Sequence, residues 1–151
     1  MLNFSKKSTD INWVLIKTEG PTPGKRYGHS MSFVEPYIIT FGGFTESGVT
    51  NDVWVLSTGG TPFKSTPFKW RKLELKKCPA ARAYHTGTLC EYGEHKNSML
   101  VFGGRDINQQ AIADSWKLQR EESGEWAWTK MPTKGNIEPT PRFQVNYIHI
   151  L

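Results

Sequence analysis

Ile38-Ile39-Thr40-Phe41-Gly42-Gly43 and Met99-Leu100-Val101-Phe102-Gly103-Gly104 are one phrase written twice. Each is an apolar run too short for a stable helix, rich in strand-forming side chains and cut off by a glycine pair. The pattern predicts buried strands over Tyr37–Phe41 and Met99–Phe102. The glycines that follow allow the chain to turn with positive φ and let a neighbouring backbone or ring come close.

What flanks the phrase repeats as well. Upstream lie Arg26-Tyr27-Gly28-His29 and Arg82-Ala83-Tyr84-His85; downstream lie Asn51-Asp52-Val53-Trp54-Val55-Leu56 and Ala113-Asp114-Ser115-Trp116-Lys117-Leu118. Tryptophan phrases begin at Trp13, Trp70 and Trp128. The period is roughly the fifty-odd residues of a four-stranded propeller blade. The order Arg-x-x-His, apolar-Gly-Gly, Asp-x-Trp, Trp-x-x-apolar resembles kelch repeats. That resemblance implies an all-β fold, a partial kelch β-propeller with two complete four-stranded blades plus flanking strands of incomplete ones.

On this reading residues 1–12 are a lead-in and 13–151 the repeat region. Within it, 13–18 is a strand of a preceding or closing blade, 26–75 the first repeat, 82–131 the second, and 142–151 the start of a third. The strands expected are Arg26–Val34, Tyr37–Phe41, Asp52–Leu56 and Trp70–Leu75, then Arg82–Cys90, Met99–Phe102, Asp114–Gln119 and Trp126–Met131. The Thr/Pro/Gly/Lys-rich stretch 57–69 carries no core signal and predicts a mobile connection. A propeller closes with typically four to eight blades. Two blades leave exposed edges that invite pairing with another chain. The expectation is therefore a piece of a larger propeller, with self-association through exposed blade edges as the other outcome.

Composition agrees with many strands and turns. Among 151 residues there are 14 glycines, 9 prolines and 19 aromatic residues (6 Trp, 5 Tyr, 8 Phe), with no long apolar run. That predicts no membrane partner, and Met1–Asn12 lacks the apolar core of a signal peptide. Cys78 and Cys90 fall at different points of the repeat and predict reduced thiols in a cytoplasmic and/or nuclear protein. The net charge of +5 indicates a solvated basic surface and not a nucleic-acid partner.

A narrower resemblance rests on Phe102-Gly103-Gly104-Arg105-Asp106, Ala113-Asp114-Ser115-Trp116, Gly124-Glu125-Trp126-Ala127-Trp128 and Pro139-Thr140-Pro141-Arg142-Phe143-Gln144. These resemble the kelch region of the kelch-containing serine/threonine phosphatases of plants and alveolates. That family joins an N-terminal kelch propeller to a C-terminal metallophosphatase domain. Val145 departs from the histidine of the other repeats. The family's catalytic phrases, Gly-Asp-x-His-Gly and Gly-Asn-His-Glu, are absent here. The resemblance therefore implies no enzyme and no cofactor in this chain, with two divalent metal ions in a phosphatase domain outside it.

His29 and His85 recur once per repeat, which fits packing better than catalysis. Gly42, Gly43, Gly103, Gly104, Trp54, Trp70, Trp116 and Trp128 likewise read as structural repeat positions. Trp126 alternates with Trp128, and one of the two is expected as an exposed contact. Arg26, Arg82 and Arg142 favour ion pairs between blades, with Asp52 or Asp114 as partner, over a ring of guanidinium groups lining a pocket. Binding is expected on the loops at one end of the sheets. These are Glu19–Lys25, Glu74–Ala81, Pro132–Pro141, Phe44–Asn51 and Arg105–Ala113. The candidate binding residues are Lys25, Arg26, Phe44, Lys76, Lys77, Arg82, Arg105, Lys134 and Arg142. A basic face predicts an acidic or phosphorylated protein partner. The implied role is a non-catalytic interaction module that targets or regulates an attached phosphatase; the alternative is a kelch adaptor or cytoskeletal scaffold with no attached enzyme.

Overall fold

The computed structural model describes residues 15–59, 68–133 and 139–144. Two blades, each of four antiparallel strands, face one another. The first blade is built from β2 (Ser30–Val34), β3 (Tyr37–Phe41), β6 (Val53–Ser57) and β7 (Phe68–Lys72), with the short β1 (Thr18–Glu19) added on the outside. A two-residue hairpin, β4 (Phe44–Thr45) with β5 (Gly48–Val49), stands between β3 and β6. The second blade is β8 (Thr86–Cys90), β9 (Ser98–Phe102), β10 (Ser115–Arg120) and β11 (Trp126–Met131). Among the described residues the sheets do not close into a ring.

Register explains the composition of the faces. Ser32, Ile39 and Val55 lie in one row of blade 1, while Leu89, Met99, Leu118 and Trp128 lie in one row of blade 2. Ile39, Phe41, Val53, Val55, Met99, Val101, Leu118 and Trp128 form one buried cluster between the sheets. Side chains alternate across a strand, so every second residue of each blade reaches this layer. Trp128 meets Phe41 edge-on at 4.9 Å and Trp116 at 6.4 Å. Trp126 is also buried, edge-on to Tyr37 at 5.6 Å, so neither tryptophan is the exposed contact expected. Both side chains point into the layer between the blades.

Three further expectations change. The innermost strands begin at Ser30 and Thr86, four residues after the arginines. Tyr27 there pairs by backbone with Phe44, and Ala83 with Arg105, so these residues cross to neighbouring loops before the strands start. Of the segment expected over 13–18 as a strand of a preceding or closing blade, Thr18 belongs to β1, and Thr18–Glu19 runs parallel to Phe68–Lys69 of blade 1 instead; Trp13 and Val14 lie outside the described residues. Of the expected connection, Thr58 is buried, its N–H and hydroxyl both donating to Pro36 O at 2.9 and 2.7 Å, and 60–67 lie outside the description. So do 145–151 of the third repeat.

Candidate interaction face

Each of the two complete repeats opens with an arginine locked inside its own blade. Arg26 Nη1 lies 2.7 Å from Asp52, and the Trp54 indole donates to the same carboxylate at 2.8 Å. Arg82 and Trp116 do the same to Asp114 at 2.6 and 2.8 Å. Burial alone would raise both carboxyls, but the arginine and indole hydrogen bonds outweigh it and hold them below the usual carboxylate range. The ion pairs are therefore within blades, not between them. Arg82 is 0% exposed and the Arg26 side chain 4%. Neither is available to a partner, which removes both from the binding set.

The glycine pairs join one repeat to the next. Gly43 N–H donates to Arg82 O at 2.9 Å, and Gly104 N–H to Arg142 O at 2.9 Å. A Cβ on Gly42 would lie 2.7 Å from Arg82 O, and one on Gly103 would lie 2.5 Å from Arg142 O. All four glycines have positive φ. Only glycine fits both demands. His85 stacks edge-on to Phe41 at 5.0 Å and shares a 2.7 Å hydrogen bond with Ser30 Oγ. Burial first, then the Arg82 and His29 charges, push its pKa down to about 3. His29 is lowered by burial and by Arg26.

Arg105 is different. Its backbone pairs with Ala83 in both directions, at 2.9 and 3.0 Å, which holds the residue beside the second strand lead-in. Its guanidinium carbon stands 4.7 Å from the Tyr84 ring centroid, 5.5 Å from Phe143 and 5.6 Å from Phe44. Tyr27 stacks on Phe44 at 5.1 Å. Tyr84 adopts φ +56°, the left-handed conformation taken by Gly28 at the matching position of blade 1. A bulky residue rarely holds that conformation. Here Tyr84 N–H donates to Gly28 O at 2.7 Å and Tyr84 O accepts from Gln144 N–H at 2.9 Å, which fixes it.

Among the described residues no carboxylate pairs with Arg105. Its Nη1 donates weakly to Gln109 at 3.4 Å and its Nε has no partner among those residues. The adjacent Asp106 is engaged in its own turn, accepting from Asn108 and Gln110 N–H at 2.9 and 2.8 Å. The result is an unpaired cation on three aromatic faces, beside Tyr27 and Ile107 at 60% and 62% exposure. A guanidinium so placed can bond an anionic group through its fork, and the rings can pack an apolar neighbour.

The remaining candidates scatter. Lys25 is exposed; Arg142 is exposed and bonded to Thr140. Lys76 and Lys77 are exposed on the loop after β7, which Asn51 ties to the β5–β6 connection through a 3.0 Å bond to Pro79 O. Lys134 lies outside the described residues. Tyr27, Tyr84 and Phe143 join the site without having been singled out as binding residues; the available signal was an aromatic residue one or two places after each repeat arginine. The two-metal chemistry implied by the phosphatase resemblance does not fit this chain. Asp52, Asp114 and His85 are all engaged as above, and no three His, Cys, Asp or Glu side chains converge among the described residues. Cys78 and Cys90 are both free thiols, and burial, then Glu74, raises the pKa of Cys78.

The family described as the KLHDC2/KLHL20/DRC7 Kelch-repeats domain matches residues 1–145. The chain is 33% identical over 134 residues to serine/threonine-protein phosphatase BSL2 of Arabidopsis thaliana, covering 87% of the chain and 12% of that protein. It is 30% identical over 130 residues to F-box/kelch-repeat protein At1g51550 of the same plant, covering 81% and 25%. Dynein regulatory complex subunit 7 of Chlamydomonas reinhardtii is 30% identical over 121 residues, covering 79% and 9%. The chain thus spans a quarter or less of these relatives.

Proposed function

Since the chain belongs to the kelch-repeat family, whose repeats form protein-interaction modules, we propose that it recognises an anionic segment of a partner protein through the Arg105 face. One observation carries this: Arg105 is held against Tyr84, Phe44 and Phe143 with no carboxylate of its own among the described residues. The bound segment carries a glutamate, aspartate or phosphate on the guanidinium and an apolar residue against Tyr27 and Phe44. Lys25, Lys76 and Lys77 add long-range attraction rather than contacts.

The test is fluorescence anisotropy with three labelled peptides of one sequence, carrying glutamate, phosphoserine or glutamine at the central position. The two anionic peptides should bind and weaken as salt rises, since screening acts over a Debye length of about 8 Å at 0.15 M. Equal binding of the glutamine peptide would overturn the proposal.

In the whole protein this region directs an attached serine/threonine phosphatase domain; the similarity to BSL2 supports that reading. The comparable similarity to an F-box/kelch-repeat protein and a dynein regulatory subunit favours a second one, an adaptor or scaffold without an enzyme. Adjoining sequence decides between them. Gly-Asp-x-His-Gly and Gly-Asn-His-Glu phrases support the first, and their absence the second.

A further inference from the structure

The two blades finish their outer edges differently. In blade 1, β7 carries the parallel strand β1 through Thr18↔Phe68 and Glu19↔Lys69. A 3.3 Å ion pair joins Lys69 to Glu19. Trp128 matches Trp70 in the repeat, so Trp126 and Ala127 stand where blade 1 has Phe68 and Lys69. There β11 is outermost among the described residues and bears no such strand. The segment arriving from β7 stands off instead, and Leu73–Lys77 form the opposite wall of a cleft of about 460 Å³. It is held there, because Leu73 is buried and its N–H donates to Val53 O at 2.9 Å.

Trp126, Ala127 and Trp128 all line this cleft. Successive side chains of a strand point to opposite faces, so a cavity lined by three in a row runs along the strand edge, where ladder groups are unpaired. Trp126 and Trp128 are 7% and 5% exposed, and neither indole N–H has an acceptor among the described residues. Trp54 and Trp116, by contrast, both donate to a carboxylate at 2.8 Å. Two buried donors and an open strand edge on one cleft call for hydrogen-bond acceptors in an extended arrangement.

We propose that the cleft takes an extended segment of a partner protein, added as a strand along the β11 edge, its main-chain carbonyls accepting from the edge amides and the two indoles. Blade 1 supplies the precedent, since its equivalent edge is filled by an extended stretch of the chain itself. Among the described residues the equivalent stretch of a second copy, its β1, is already paired to its own β7. The walls carry Arg71, Lys76 and Lys77 against Glu74, Glu121 and Glu125, so the segment is near neutral, unlike the anionic one at Arg105. This site is independent of the Arg105 reading.

The experiment is an NMR titration of the full chain with the acetylated, amidated peptide Ile-Lys-Thr-Glu-Gly, the sequence of residues 16–20. The indole N–H signals of Trp126 and Trp128 and the β11 amides should shift saturably, while those of Trp54 and Trp116 stay in place. Trp126→Phe removes one donor and should weaken binding about three- to tenfold. In the unaltered chain, bound peptide should also slow hydrogen exchange at Trp126–Met131, a readout that does not depend on the variant folding. No saturable shift at millimolar peptide would overturn the proposal. So would the same shifts on concentrating the chain alone, which would assign the cleft to a second copy.

Discussion

Alanine at Gly104 is expected to destabilise the protein by about 2–5 kcal/mol, from backbone strain and overpacking together. Gly104 has φ +99°, and holding an L residue in a left-handed conformation costs about 1–2 kcal/mol. Its Cβ would also stand 2.9 Å from Ala83 O and 3.0 Å from His85 Cβ. Neither can retreat, because Ala83 O accepts from Arg105 N–H at 2.9 Å and His85 is held by Ser30. Such overpacking adds about 1–3 kcal/mol. Gly48 is the internal control. Its φ is +105°, but a Cβ there meets only Ile107 Cδ1 at 3.6 Å, an ordinary contact. Gly48→Ala therefore carries the conformational cost alone, and the small unfolded-state gain of Gly→Ala is shared by both. Urea denaturation followed by tryptophan fluorescence gives both values by linear extrapolation. Equal losses at the two positions would refute the close approach between strand lead-in and glycine pair.

Two more outcomes follow from the buried charges. Asp114→Ala leaves the fully buried Arg82 without a carboxylate and should cost about 3–5 kcal/mol in the same assay; a loss below about 1 kcal/mol, the range of an exposed pair, would contradict that environment. His85 titrates at about 3 when folded against 6.5 as its ordinary value, so between those values the unfolded chain binds a proton that the folded chain does not. Its contribution is complete above about pH 6.5 and falls by up to about 1.4 kcal/mol per pH unit below it. The lowered Asp52 and Asp114 carboxyls add further loss only at more acid pH, as they protonate. A melting temperature unchanged between pH 7 and pH 5 would count against a neutral buried His85.

The strands that repeat were legible because the repeat states its own periodicity: Tyr37–Phe41 and Trp126–Met131 stand where alternation and the glycine pairs put them. Which way Arg26 and Arg82 reach was not legible. Asp52 and Asp114 lie at the right spacing for a partner in the same blade or the next, and only the fold of the Gly42–Asp52 loop decides. Arg105 and Phe44 could be named from loop position alone. The cage around Arg105 could not, because Tyr84, Phe44 and Phe143 come from three separate segments. It also depends on Tyr84 accepting a backbone conformation that its side chain disfavours. For Trp126, alternation shows only that it shares a face with Trp128, not whether that face is covered.

The most direct test of the central claim compares Arg105→Ala with Arg142→Ala in binding the glutamate peptide. Both arginines are at least partly exposed, and Arg142 adjoins Phe143 in sequence, but only Arg105 sits over the aromatic rings. Arg105→Ala should weaken binding about ten- to a hundredfold, the weight of a hydrogen bond to a charged group, and Arg142→Ala by less than about twofold. Undiminished binding by Arg105→Ala, or a larger loss from Arg142→Ala, would contradict the account.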